Sequence, residues 1–201
     1  MKSWWHQNVR GDKGRNVGII NTEGEAWSHQ RRFALKELRD LGFGKKSLDS
    51  IMNEEVDEVI EKISKEKTAV MDGTFNTPII NVLWQIVASK RFEHNAPDTE
   101  RMMSNLKMQF KDGFNLVKYL SWFRPLLPMN EIDKSIIEMK DMMRELIHEH
   151  LADIDYDNPR DFIDTYLTQI QKEGNYFDIE NLVVVCLDFF QAGAETTRYL
   201  Y

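Results

Sequence analysis

Ala192-Gly193-Ala194-Glu195-Thr196-Thr197 follows an apolar run from Ile179 to Gln191, and the run predicts a buried helix. An acid and two alcohols are unusual in such a helix, because an unsatisfied buried polar group costs about 1–3 kcal/mol. Ala192 and Gly193 leave little bulk on the helix surface, so a flat ligand can approach closely, although glycine weakens a helix by about 1 kcal/mol. The pattern predicts a site that handles protons beside a cofactor. The alternative interpretation is that these residues form a polar cluster that faces water.

Two further segments precede this helix. Trp27-Ser28-His29-Gln30-Arg31-Arg32-Phe33 lies just before a stretch from Leu38 to Leu48, and an apolar segment extends from Asn81 to Phe92. With the hexapeptide, they resemble the cytochrome P-450 family, and in particular its animal microsomal branch. The resemblance extends from about Gly18 to Thr197. It implies a mainly α fold: the helical portion of the cytochrome P-450 fold, truncated at both ends.

The resemblance further implies that residues 1–201 form a single partial domain. The family's N-terminal membrane anchor, its Glu-x-x-Arg helix and its Phe-x-x-Gly-x-x-x-Cys-x-Gly loop do not occur in the sequence. We therefore expect an internal fragment of a haem-thiolate monooxygenase. Its axial cysteine would lie outside the chain, and the isolated fragment would be inactive.

Composition excludes several other classes of protein. The 201 residues carry a formal net charge of −7 without a block of Lys and Arg, which argues against a nucleic-acid partner. One cysteine cannot form an intramolecular disulfide. No segment reaches the roughly 18–20 apolar residues that cross a bilayer.

Apolar periodicity predicts a succession of helices and no strand. Ser47 can cap the second helix, and Pro78 suits the first position of the third. The first predicted helix begins near residue 25 and ends before the glycines at 42 and 44. The later helices are predicted over 46–65, 79–89, 99–115, 130–152, 160–173 and from 178 onward.

Trp27 and Arg31 are one helical turn apart. The resemblance implies that they hydrogen-bond a haem propionate, for which the planar guanidinium of arginine is well suited. From the residues alone, a tryptophan packed in the core with an arginine beside it is the favoured interpretation. Ala192 and Gly193 would lie against the haem and leave room for oxygen.

Thr196 and Glu195 are the predicted catalytic residues, which would deliver protons during oxygen activation. Thr197 lies off this face and should matter less. Asp188 and Phe189 are predicted to border the substrate pocket. For Asp188, a purely structural hydrogen-bond acceptor is the favoured alternative.

The resemblance also implies partners. An NADPH-dependent flavoprotein reductase would contact basic residues such as Arg32 and Lys36, which could equally form an ordinary solvated face. The substrate would be a small apolar molecule. The segment Tyr119–Pro128 would touch a membrane surface, with burial against neighbouring helices as the alternative. The resemblance also implies that the parent protein lies at the cytosolic face of the endoplasmic reticulum membrane.

The predicted function is therefore insertion of one oxygen atom of O2 into an apolar organic substrate. A non-enzymatic helical interaction module is the alternative, and a di-iron oxidase lacks a second Glu-x-x-His helix to match Glu145 and His148. His148 and His150 are two residues apart and lie on different faces of a helix, and a solvated charged face is the favoured interpretation of Glu145 and His148. Cys186 should pack in the core, since free cysteine is among the most buried residue types.

Overall fold

The structure is a computed structural model that describes residues 6–45, 48–65, 74–92, 97–110 and 129–198; from Ala194 to Arg198 it describes the backbone alone. These ranges contain a five-residue π-helical turn, His6–Arg10, and seven α-helices. The helices are α1 Gly24–Asp40, α2 Asp49–Lys65, α3 Asn76–Ala88, α4 Pro97–Phe110, α5 Glu131–Asp153, α6 Phe162–Lys172 and α7 Ile179–Arg198.

The mainly α fold is confirmed. Within the described ranges, β-structure is limited to one isolated bridge between Asp12 and Arg15. In the same ranges no helix is both long enough and apolar enough to cross a membrane. The helices start within three residues of their predicted positions, and Pro78 is the third residue of α3 rather than the first. The segment predicted to end the fourth helix, 111–115, lies outside the described residues.

Local capping explains why the later helices start where they do. At the start of α5, the Asn130 side chain accepts a hydrogen bond from the Asp133 N–H at 2.8 Å. The Asp133 carboxylate in turn accepts from the Asn130 N–H at 3.1 Å, and the two bonds form a capping box. Asp161 caps α6 by accepting from the Asp164 N–H at 3.0 Å. Asp178 does the same for α7 through the Asn181 N–H at 2.8 Å.

The first half of α7 is the centre of the core. Every residue from Leu182 to Leu187 is fully buried, which requires neighbours on all sides of the helix. Those neighbours are α3, α4, α5 and α6. The predicted buried helix is therefore confirmed, and its buried half is fixed in place by the rest of the chain.

An aromatic cluster joins α1 and α6 to this core. The Phe33 ring lies 5.4 Å from the Tyr166 ring and 5.1 Å from the Phe177 ring, both edge-on. Phe162 contacts Phe189 of α7 with ring centroids 5.1 Å apart. Such pairs stabilise by about 0.5–1.5 kcal/mol beyond the area that they bury, so α1, α6 and α7 are held in one arrangement.

The two histidines of α5 lie in different environments, and the predicted solvated face is found at His148. His148 is exposed, whereas His150 is only 4% exposed and hydrogen-bonds Asp161. The physical reason is the turn after α5, which brings Asp161 back over the end of the helix.

Candidate cofactor site and its supporting residues

Trp27 and Arg31 lie side by side on the outer face of α1. The Arg31 guanidinium carbon is 5.5 Å from the centre of the Trp27 ring, a cation–π contact. Trp27 is 38% exposed, so the interpretation of a tryptophan packed in the core is wrong. Among the described residues, Arg31 makes no ion pair. Its N–H donors therefore remain available to an anionic ligand.

A groove of about 410 Å³ extends along this face, and its charged lining is basic. The positive charge of Lys36 is neutralised by two carboxylates, because its ammonium group pairs with Glu37 at 2.5 Å and with Asp40 at 3.5 Å. The hydrogen bond to Glu37 raises the pKa of Lys36. The groove is lined by Trp27, Ser28, Arg31, Arg32, Leu35, Lys36 and Arg39.

A second groove, of about 460 Å³ and almost entirely apolar, lies where α7 meets α3 and the end of α1. Phe189, Ala192 and Gly193 of α7 all border it. A Cβ placed on Gly193 would lie 3.1 Å from Cδ2 of Leu83, so the glycine keeps α7 and α3 close. The groove is lined by Leu38, Phe43, Met52, Ile79, Val82, Leu83, Ile86, Phe189, Ala192 and Gly193.

Asp188 is held by the segment that precedes α1. It is 3% exposed, and one carboxylate oxygen accepts from the Arg10 guanidinium. The other oxygen accepts from the backbone N–H groups of Ile19 at 2.6 Å and Ile20 at 2.9 Å. This geometry matches the alternative of a structural acceptor. A role at the substrate pocket stays a prediction.

We call residues 6–22 the strap, because polar contacts fasten this segment to α5 and α7. Besides Asp188, Asn181 accepts from the Gly18 N–H at 3.1 Å, and Lys140 donates to the Gly11 carbonyl at 2.6 Å. Burial of the Lys140 ammonium lowers its pKa. Asn181 and Asp188 are two turns apart on one face of α7, so a single face of the helix carries both acceptors.

Gly18 allows the strap to approach α7. Its φ is +87°, a region in which side chains are strained. A Cβ there would lie 2.5 Å from Val184 Cγ1 and 2.7 Å from Asp188 Oδ2. Sequence reasoning missed Arg10, Gly18 and Lys140. The available signal was that residues 1–24 are rich in glycine, asparagine and charge, which does not identify a partner.

The predicted catalytic pair falls in the last turns of α7. The helix continues through Glu195, Thr196 and Thr197 to Arg198, but these side chains lie outside the described residues, as do the predicted cap Ser47 and the segment Tyr119–Pro128. Their roles stay predictions.

Cys186 packs in the core as predicted. It is fully buried, and burial raises the pKa of its thiol far above the ordinary value. A thiol in this environment stays protonated, and a metal ligand must be the thiolate. Cys186 is therefore not a candidate axial ligand.

Comparison with known proteins identifies the family to which this helical chain belongs. The family model for cytochrome P450 matches residues 4–199, so the chain belongs to the cytochrome P450 family.

Its relatives include several animal members of that family. The chain is 33% identical to cytochrome P450 2C8 of Homo sapiens over 200 residues, which cover 91% of this chain and 40% of the relative. It is 29% identical to cytochrome P450 2L1 of Panulirus argus, over 92% of this chain and 41% of the relative. It is 34% identical to cytochrome P450 2B2 of Rattus norvegicus, over 90% of this chain and 40% of the relative. The chain thus spans about 40% of the length of these relatives.

Proposed function

We propose that the protein acts as a haem-thiolate monooxygenase that inserts one oxygen atom of O2 into a small apolar organic substrate. Electrons would come from an NADPH-dependent flavoprotein reductase. Bound haem supplies the chemistry of oxygen activation, and the protein supplies binding, orientation and protons. Membership of the cytochrome P450 family over residues 4–199 carries this proposal.

The residues of α1 fit one end of a haem. A haem has an apolar ring and two carboxylates, so its site needs an apolar surface and a cationic one. The exposed Arg31 beside Trp27 supplies the cationic surface. Paired N–H bonds from a guanidinium to a carboxylate are both strong and directional, so Arg31 would fix the orientation of the cofactor, with the Trp27 N–H as a second donor.

Residues of α7 fit the apolar part. Ala192 and Gly193 are the smallest residues that border the apolar groove, and they would let a ring lie close to the helix backbone. Phe189 borders the same surface and would contact substrate. Asp188 would act on the substrate pocket by holding the strap, since its carboxylate is engaged by Arg10, Ile19 and Ile20.

Thr196 and Glu195 would manage protons. The Thr196 hydroxyl would donate a hydrogen bond into the pocket and hold a water, while Glu195 would pass protons from the solvent side. A positioned proton donor contributes typically 10²–10⁴-fold to rate. Loss of the hydroxyl should therefore waste reducing equivalents instead of forming product.

A matched pair of variants of the full protein tests this proposal. Thr196→Ala should continue to consume NADPH and O2 while it releases hydrogen peroxide in place of product. Thr197→Ala, one residue further along the helix, should retain coupling close to that of the wild type. Retained coupling in Thr196→Ala together with lost coupling in Thr197→Ala would show that the assignment of the catalytic face is wrong.

The basic face of α1 would meet the reductase. Arg32 and Arg39 are exposed there and lie in the same groove as Arg31, and complementary charge mainly accelerates the encounter of two proteins. The relatives' branch of the family supports a location at the endoplasmic reticulum membrane, with the catalytic part on the cytosolic face.

A further inference from the structure

His150 lies in the last turn of α5 with oxygen acceptors at both of its ring nitrogens. Nε2 is 2.9 Å from Oδ2 of Asp161, and Nδ1 is 2.9 Å from the carbonyl oxygen of Leu146. A neutral imidazole has one N–H and could satisfy one of these contacts. The imidazolium has two N–H donors and satisfies both. The geometry therefore favours the charged form.

Asp161 links this histidine to the next helix. It is 1% exposed, and its second oxygen accepts from the Asp164 N–H at the start of α6. His150 is at the C-terminal end of α5, where a cation is favoured, and Asp161 is at the N-terminal end of α6, where an anion is favoured. The two helix dipoles therefore support an imidazolium–carboxylate pair.

Other charged and titratable groups surround the pair on every element that packs against it. Asp164 of α6 accepts from Arg160 at 2.6 Å and 3.1 Å, and Arg160 also pairs with Asp153. The flanking α7 contributes the buried thiol of Cys186, whose pKa Asp161 helps to raise after burial. From the end of α3, Lys90 pairs with the exposed Glu149 on another face of α5.

The cluster of His150, Asp161 and Asp164 has the donor types of a metal site. Two observations argue against that use. The Arg160 guanidinium bonds both oxygens of Asp164, so a positive group already occupies that carboxylate. The Asp161 carboxylate is divided between His150 and the N-terminus of α6.

We propose that His150 and Asp161 form a proton-operated latch that fastens the end of α5 to the start of α6. Protonated His150 closes the latch by donating to Asp161 and to the Leu146 carbonyl. Deprotonation removes one of these hydrogen bonds and leaves the Asp161 carboxylate buried beside a neutral ring. The turn 154–160 then becomes easier to open.

The latch is next to the wall of the candidate site. Phe162 follows Asp161 in sequence and contacts both Phe33 of α1 and Phe189 of α7. An opened corner would therefore loosen the packing behind Phe189, which borders the apolar groove.

The direction of the pH effect follows from the contacts. Desolvation lowers the pKa of His150, but the hydrogen bonds to Asp161 and to the Leu146 carbonyl outweigh it, and the pKa is raised overall. A raised folded-state pKa gives stability that is fully present below the unfolded value of about 6.5 and that is lost as pH rises through the folded value. The latch should therefore open on the alkaline side of 6.5.

Urea unfolding of the full protein between pH 5.5 and 9 tests the latch in wild type, His150→Gln and His148→Gln. Gln retains a donor but does not titrate, and the exposed His148 is a matched control two residues away. We expect the difference in midpoint between wild type and His150→Gln to decrease as pH rises above about 6.5. His148→Gln should follow the wild type at every pH. A difference that does not change with pH would overturn the proposal.

Hydrogen exchange of the wild type alone provides a second measurement if His150→Gln fails to fold. After correction for the intrinsic rate, exchange of amides 150–165 should increase across the same pH range, by up to about tenfold for each pH unit between the unfolded and folded pKa values. Amides in the middle of α5 should not show this increase. Equal behaviour of the two groups would contradict a local latch.

Discussion

Two arginines, one in the strap and one in α1, show how differently this chain uses the same side chain. Arg10, in the strap, is 4% exposed and pairs with Asp188 inside the molecule. Arg31, on the outer face of α1, is exposed and stacks on Trp27 without a carboxylate partner among the described residues. The first charge already has a carboxylate partner within the fold. The second remains available to a ligand.

The comparison distinguishes an arginine that stabilises the fold from an arginine whose charge is available to a ligand. A buried ion pair has a large desolvation cost that only good geometry and further hydrogen bonds offset. Asp188 meets that requirement with three donors. An exposed arginine has no such requirement, so its position beside an aromatic ring needs another explanation, and a bound carboxylate is one.

The largest expected effect is at the buried pair. Asp188→Ala leaves the Arg10 guanidinium buried without its partner and should destabilise the full protein by about 3–5 kcal/mol. The urea midpoint measures this change. Asp141→Ala is the control, because it removes an exposed partner of Arg144 and should cost at most about 0.5 kcal/mol. Equal losses in the two variants would show that the Asp188 pair does not stabilise the strap.

The next effect is at Gly18. Gly18→Ala combines a strained positive φ with overlap on Val184 and Asp188, and we expect a loss of about 2–4 kcal/mol. Gly14 is the matched control, since its φ is +86° and an added Cβ would meet nothing within 4 Å. Gly14→Ala should cost only the backbone strain, about 1–2 kcal/mol. If the two variants lose the same stability, close contact between the strap and α7 is not what Gly18 provides.

The sequence predicted the helices well because their signals are local. Asn130, Asp161 and Asp178 cap helices whose starts lie one residue further on. The apolar run in the first half of α7 likewise indicated a buried helix without knowledge of its partners.

The sequence did not predict which charges are buried. Arg10 and Asp188 are 178 residues apart, and Lys140 bonds the Gly11 carbonyl across 129 residues. Nothing near either basic residue in the sequence distinguishes it from a solvated one. The burial of His150 was not predicted for the same reason, since it depends on the turn that returns Asp161 to the helix end.

Haem affinity of the full protein in the Arg31→Ala and Arg32→Ala variants tests the central claim most directly. Both arginines line the same groove, but only Arg31 stacks on Trp27. Loss of a charge-assisted bond to a carboxylate should weaken haem binding by about 1.5–3 kcal/mol, roughly 10- to 100-fold, in Arg31→Ala. Arg32→Ala should bind haem as the wild type does. Equal haem affinity in the two variants would contradict the account.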